Sequence, residues 1–133
     1  MPEAEHPNAA LVRSLFDAFA RRDAGVIAAA IPEDAVWHFP GRRGALAGAH
    51  RGREAILLFL ANVMAMTAGT FRLELHDVRA SDGGAVALFR GHGVRNGKTL
   101  DNPTCLRIDI RDGKVTEVWE FVWDLEHVEE FWS

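Results

Sequence analysis

Between Asn8 and Arg22 the apolar residues Leu11, Val12, Leu15, Phe16 and Phe19 recur at helical spacing, with Arg13, Ser14, Asp17 and Arg21 on the other side. The pattern predicts an amphipathic helix. Asp23 is placed to cap a second, short helix over Ala24–Ala30, which Pro32 ends. Ala35 to Phe39 (AVWHF) reads as a short strand stopped by Pro40-Gly41, and Gly41 to Gly52 (GRRGALAGAHRG) as a glycine-rich loop. The loop leads into a third helix, Arg53–Met66, within an apolar run that reads as a helix buried on most sides. From Thr70 the period changes to two. Phe71, Leu73 and Leu75 alternate with Arg72, Glu74 and His76, as in a strand with one face toward a core. The turns Ser81-Asp82-Gly83-Gly84, Asn96-Gly97 and Asp112-Gly113 then separate strands over Ala85–Arg95, Thr99–Ile110 and Lys114–Trp123. An acidic segment, Leu125–Trp132, finishes the chain as a helix.

Helices first and consecutive hairpins afterwards give an α+β order. The expected architecture is a cone-like curved antiparallel β-sheet with three N-terminal helices packed over its concave face. Such a cone leaves an apolar pocket, the natural place for a small hydrophobic molecule. At 133 residues, with no repeat or linker, residues 1–133 form one domain. A net charge of −4 argues against a nucleic-acid partner, which needs a basic face. The single Cys105 has no partner for an internal disulfide, so a reducing cytoplasm is the expected compartment. The start, MPEAEHPNAA, lacks the basic and apolar regions of a secretion signal, and the run Ala55–Ala68 is too short to span a membrane.

The segments ARRDAGVIAAAIPEDAVWHF, GREAILLF, NGKTLDNPT and RDGKVTEVWEFVWD, in this order, resemble the nuclear transport factor 2-like superfamily. Within it they resemble the SnoaL-like branch of polyketide cyclases, which is related to ketosteroid isomerase. The resemblance covers essentially the whole chain and implies the cone fold, often cystatin-like in outline. It does not fix an activity, because one scaffold hosts many chemistries. Ketosteroid isomerase uses an aspartate base with a tyrosine and a protonated aspartate. The matching positions here are Phe39, Leu15 and Leu106 (or Cys105), so the resemblance argues against that mechanism. SnoaL-type cyclases carry an acid/base carboxylate in the last strand, which matches Glu120, and a histidine from the neighbouring strand, which matches Leu106.

The segment TEVWEFVWD, Thr116–Asp124, holds the main register question. One face collects Glu117, Trp119, Phe121 and Trp123, the other Thr116, Val118, Glu120, Val122 and Asp124. If Glu120 points into the cone, burial raises its pKa and suits it to acid/base work. Trp119, Phe121 and Trp123 then form an apolar convex face through which a homodimer pairs, a mode the resemblance also implies. In the opposite register the tryptophans line the pocket and Glu120 faces water or a partner.

The remaining pocket candidates are Leu15, Phe19, Trp37, Phe39, Phe59, Met64, Phe89, Leu106, Val118 and Val122. The same residues equally suit a solid core. Possible polar assistants are His38, Asn102 and Asp124, although His38 has the parity of an outward residue and Asp124 suits a helix cap. Arg42, Arg43, His50, Arg51 and Arg53 form a basic cluster on the glycine loop, read either as a solvated loop or as an attraction for anions. No histidine pair has metal-site spacing, and no cofactor or catalytic metal is expected. Three functional readings follow: a cofactor-free isomerase, cyclase or hydrolase using Glu120, a non-catalytic ligand-binding module, and a dimeric structural domain.

Overall fold

The computed structural model describes residues 5–133. Residues 1–4, which open the stretch read above as no secretion signal, lie outside the described residues. Helix α1 spans Pro7–Ala20. Pro7 sits in its first turn, where a missing N–H breaks no helical bond, and the His6 ring accepts the Asn8 N–H at 3.0 Å. Arg22, at φ 58°, turns the chain out of the helix. Asp23 then caps α2, Ala24–Ala29, by accepting the Val26 N–H at 3.2 Å. Strands β1 (Val36–Phe39) and β2 (Gly48–Arg51) pair antiparallel ahead of α3, Arg53–Met66. Four further strands follow: β3 (Arg72–Ser81), β4 (Gly84–Arg95), β5 (Lys98–Arg111) and β6 (Lys114–Val122). Helix α4, Leu125–Trp132, closes the order, capped by Asp124.

All six strands form one sheet in the order β2-β1-β6-β5-β4-β3. Two features depart from the sequence expectation. The glycine loop contains β2, a strand without hydrophobic alternation that supplies hydrogen bonds to the otherwise open edge of β1. The sheet is also not wholly antiparallel. β1 runs parallel to β6, with Val36 opposite Glu117, Trp37 opposite Val118 and His38 opposite Trp119.

Two register slips bend the sheet, between Leu75 and Asp77 and between Asp109 and Ile110. The second leaves Thr116 as the extra residue. Val115 therefore turns inward with Val118, and Thr116 does not share their face as strict alternation suggested. The curved face packs Val12 of α1 against Phe89, Leu106, Ile108 and Val118. A second cluster joins Phe39, Leu46 and Phe59 to Phe131 and Trp132 of α4. Phe131 is 1% exposed, and burying such a ring stabilises the fold by about 2–3 kcal/mol.

Anchors on both sides hold α4. Its terminal carbonyls accept hydrogen bonds from the β4–β5 hairpin: Arg95 Nη1 to Phe131 O at 3.0 Å and Lys98 Nζ to Glu130 O at 2.7 Å. On the other side Glu129 Oε2 accepts the backbone N–H groups of Arg42 and Arg43 at 3.1 and 3.0 Å.

Candidate functional site

The parallel pairing of β1 with β6 brings two distant side chains together. Trp37 lies opposite Val118, two residues from Glu120, and its Nε1–H donates to Glu120 Oε1 at 3.1 Å. Phe59 of α3 packs on the Trp37 ring, with centroids 5.3 Å apart, and fixes the indole from the helix side. Leu106 faces Glu120 across the β5–β6 ladder. Glu120 thus takes the inward register, on the same side as buried Val118.

Glu120 lies on the wall of a cavity of about 130 Å³ between the helices and the curved sheet. Leu15, Phe19, Trp37, Phe39, Phe59, Phe89, Leu106 and Val118 also border it. Val12, Phe16, Ile56, Val63, Leu73 and Trp132 border it too, and sequence reasoning missed them. The helical stripe of α1 carried the signal for Val12 and Phe16. Nothing in the sequence announced Trp132, which depends on how α4 folds back. Asn102 and Glu120 are the polar side chains of the wall beside the Trp37 and Trp132 indoles.

Glu120 keeps some accessible surface, as a residue bordering a cavity does, but its carboxyl lies among apolar groups. Burial pushes its pKa up to about 7, against the smaller lowering effect of the Trp37 hydrogen bond. Oε2 has no hydrogen-bond partner among the described residues.

Other candidates lie elsewhere. Met64 does not border the cavity, because α3 turns Phe59 and Val63 toward it instead. Val122 shares the parity of Glu120 but packs against the cluster containing Phe39, Leu46 and Phe131. Asp124 accepts the His127 N–H at 3.1 Å as the cap of α4. His38 turns to the convex face, where Nε2 meets Glu117 Oε2 at 2.5 Å and the ring stacks on Trp119 at 5.2 Å. Arg107 lies 4.6 Å from the same indole, so Trp119 is partly covered. The open apolar part of this face is Phe121 and Trp123, 56% and 87% exposed.

The basic cluster disperses. His50 Nε2 donates to Leu46 O at 2.7 Å and the ring packs on Phe59, while Arg53 Nε donates to Ile31 O at 2.6 Å. Burial raises the pKa of the Cys105 thiol, which works against a thiolate role. Among the described residues no three His, Cys, Asp or Glu side chains gather as metal ligands would, and no helix is long and apolar enough to cross a membrane.

Similar proteins share this framework. An uncharacterized protein of Mycobacterium tuberculosis, Rv0034, is 34% identical over 124 residues, covering 92% of this chain and 94% of the relative. The structure of Bal32a, from a soil-derived mobile gene cassette, matches with a TM-score of 0.91 and 36% identity, over 96% of this chain and 97% of that one. A Xanthomonas campestris protein of unknown function with a cystatin-like fold matches with a TM-score of 0.86 and 29% identity, over 92% and 95% of the two chains. The sequence model of the SnoaL-like domain matches residues 12–118, from the inward stripe of α1 to the strand that carries Glu120. By that match, which spans most of its length, the chain belongs to the SnoaL-like domain family.

Proposed function

We propose that the chain binds a small hydrophobic molecule in this cavity and transfers a proton on it, with Glu120 as acid/base. The observation that carries the reading is the Glu120 carboxyl, set in an apolar wall and held at Oε1 by the Trp37 indole, with a pKa near 7. Such a group takes a proton from carbon beside a carbonyl, or returns one, without a metal or nucleotide. The volume of about 130 Å³ limits the ligand, since a cavity of about 150 Å³ accepts benzene. The reading therefore favours a one-ring molecule over a steroid or a fused polyketide.

One observation favours a second reading, binding without turnover: Leu106, an apolar residue, faces Glu120 where a cyclase brings a histidine. Proton exchange separates the two. Small enolisable aryl ketones are incubated in deuterated buffer, and deuterium uptake at the α-carbon is followed by NMR for wild type and Glu120→Gln. The acid/base reading expects uptake above the buffer rate with wild type, lost with Glu120→Gln. Equal uptake by both removes Glu120 from the chemistry.

We also propose that two copies pair through the convex face around Phe121 and Trp123, whose exposure gives an apolar patch at the C-terminal end of β6. Sedimentation at micromolar concentration should then show a dimer that Trp123→Lys dissociates. A wild-type monomer contradicts the pairing.

A further inference from the structure

Asn102 is 6% exposed and borders the cavity at some distance from Glu120. It lies four residues before Leu106, the neighbour of Glu120, which is roughly 13 Å along β5 at about 3.3 Å per residue. Its carboxamide oxygen is buried without a hydrogen-bond partner among the described residues. The strands on either side offer none. Gly91 faces it from β4, bringing no side chain, and the ladder with β6 runs out at Val122, opposite Thr104. Gly91 and Phe71 border the cavity at this end, and a methyl group at Gly91 would meet the Phe71 ring at 3.7 Å. The backbone is engaged, since Thr104 Oγ1 donates to Asn102 O at 3.0 Å, but the side chain is not. Buried carboxamides ordinarily find partners, because an unmet one destabilises the fold.

We infer that Asn102 is the second anchor of the ligand site and selects molecules that present a hydroxyl to its carboxamide. The inference rests on the cavity reading above and adds the ligand's chemistry. A hydroxyl donates to the free oxygen and can also accept from the amide nitrogen, so it satisfies the group in either sense. Among the described residues no cationic side chain borders the cavity, which suits a neutral ligand better than an anion. With Glu120 at one end and Asn102 at the other, the span left between the two side chains fits about one substituted ring. The ligand class is a neutral one-ring molecule with a carbonyl toward Glu120 and a hydroxyl at the opposite end.

Calorimetry at pH 6 tests this with 4-hydroxyacetophenone and acetophenone as probes, on wild type and Asn102→Leu. The hydroxyl should tighten wild-type binding about tenfold, the usual effect of one satisfied hydrogen bond, and Asn102→Leu should bind the two probes alike. Asn102→Leu should melt no lower than wild type, since it removes an unpaired polar group. If that variant fails to fold, the side-chain amide resonance of Asn102 in wild type provides the readout. It should shift with the hydroxylated probe and not with acetophenone. A wild type without preference, a preference that survives in Asn102→Leu, or equal shifts with both probes overturns the assignment while leaving the cavity reading intact. Failure of both probes to bind wild type overturns the two together.

Discussion

Replacing Glu120 by Gln should make the protein more stable at neutral pH, by an amount that depends on pH in a defined way. Glu120 has a pKa of about 7 in the fold against 4.5 as an ordinary glutamate. Below pH 4.5 the carboxyl is protonated in both folded and unfolded chains, and its ionisation costs nothing. As pH rises, the unfolded chain releases the proton first, so the folded state loses stability until the buried carboxyl also ionises. At 1.36 kcal/mol per decade the loss reaches about 3 kcal/mol and levels off above pH 7. Gln carries no ionisable group but keeps an oxygen for the Trp37 N–H. The stability difference between Glu120→Gln and wild type should therefore climb by about 1.4 kcal/mol per pH unit between pH 5 and 6.5, then flatten. Urea unfolding of both proteins from pH 4.5 to 8.5 at constant ionic strength measures it. The acids Glu74, Asp77 and Glu129, whose pKa values lie below the ordinary range, are common to both proteins and cancel in the difference. A difference independent of pH would refute the burial of this carboxyl.

Trp37→Phe removes the only donor to Glu120 seen among the described residues. The same curve, measured in that background, should keep climbing past pH 7 and level off about one pH unit or more higher. Glu129→Ala frees the Arg42 and Arg43 N–H groups, so amide exchange in α4 should quicken while the centre of the β4–β5 ladder is unchanged. In wild type the Arg42 N–H, above all, holds the Glu129 carboxyl below its ordinary pKa. This contact is complete above the usual glutamate range and weakens only as acid takes the pH through the lowered value. At Gly84 a methyl group would lie 2.1 Å from Ile108 O, inside the β4–β5 pairing. Gly84→Ala should cost about 3 kcal/mol or more in chemical denaturation.

The elements visible in the sequence are those with local signals. The stripe of α1, the Asp23 cap and the period-two strands each depend on near neighbours. So do the Asn96-Gly97 and Asp112-Gly113 turns, where all four residues take positive φ. The inward register of Glu120 was one of two open choices, and alternation alone could not decide it. The decision comes from Trp37 and Val118, which meet across a parallel pairing that no turn residue announces. β2 was invisible because its role is to supply hydrogen bonds to an edge, which leaves no hydrophobic pattern. Met64 was assigned to the cavity by its apolar character, but helix rotation decides which face of α3 looks inward. Asn102 looked like one polar residue among many in its strand. Its isolation comes from Gly91 opposite and the end of β6 alongside.

The parallel β1–β6 pairing also bears on the order in which the chain assembles. Strands β3 to β6 are joined by short turns and can pair from local contacts, whereas β1 must close a loop across most of the sequence before it meets β6. Trp37 and Glu120 are 83 positions apart. The cavity wall therefore completes only when the first third of the chain docks on the last strand. A refolding molecule would form a sheet before it forms a binding site, and Trp37 would report that final step.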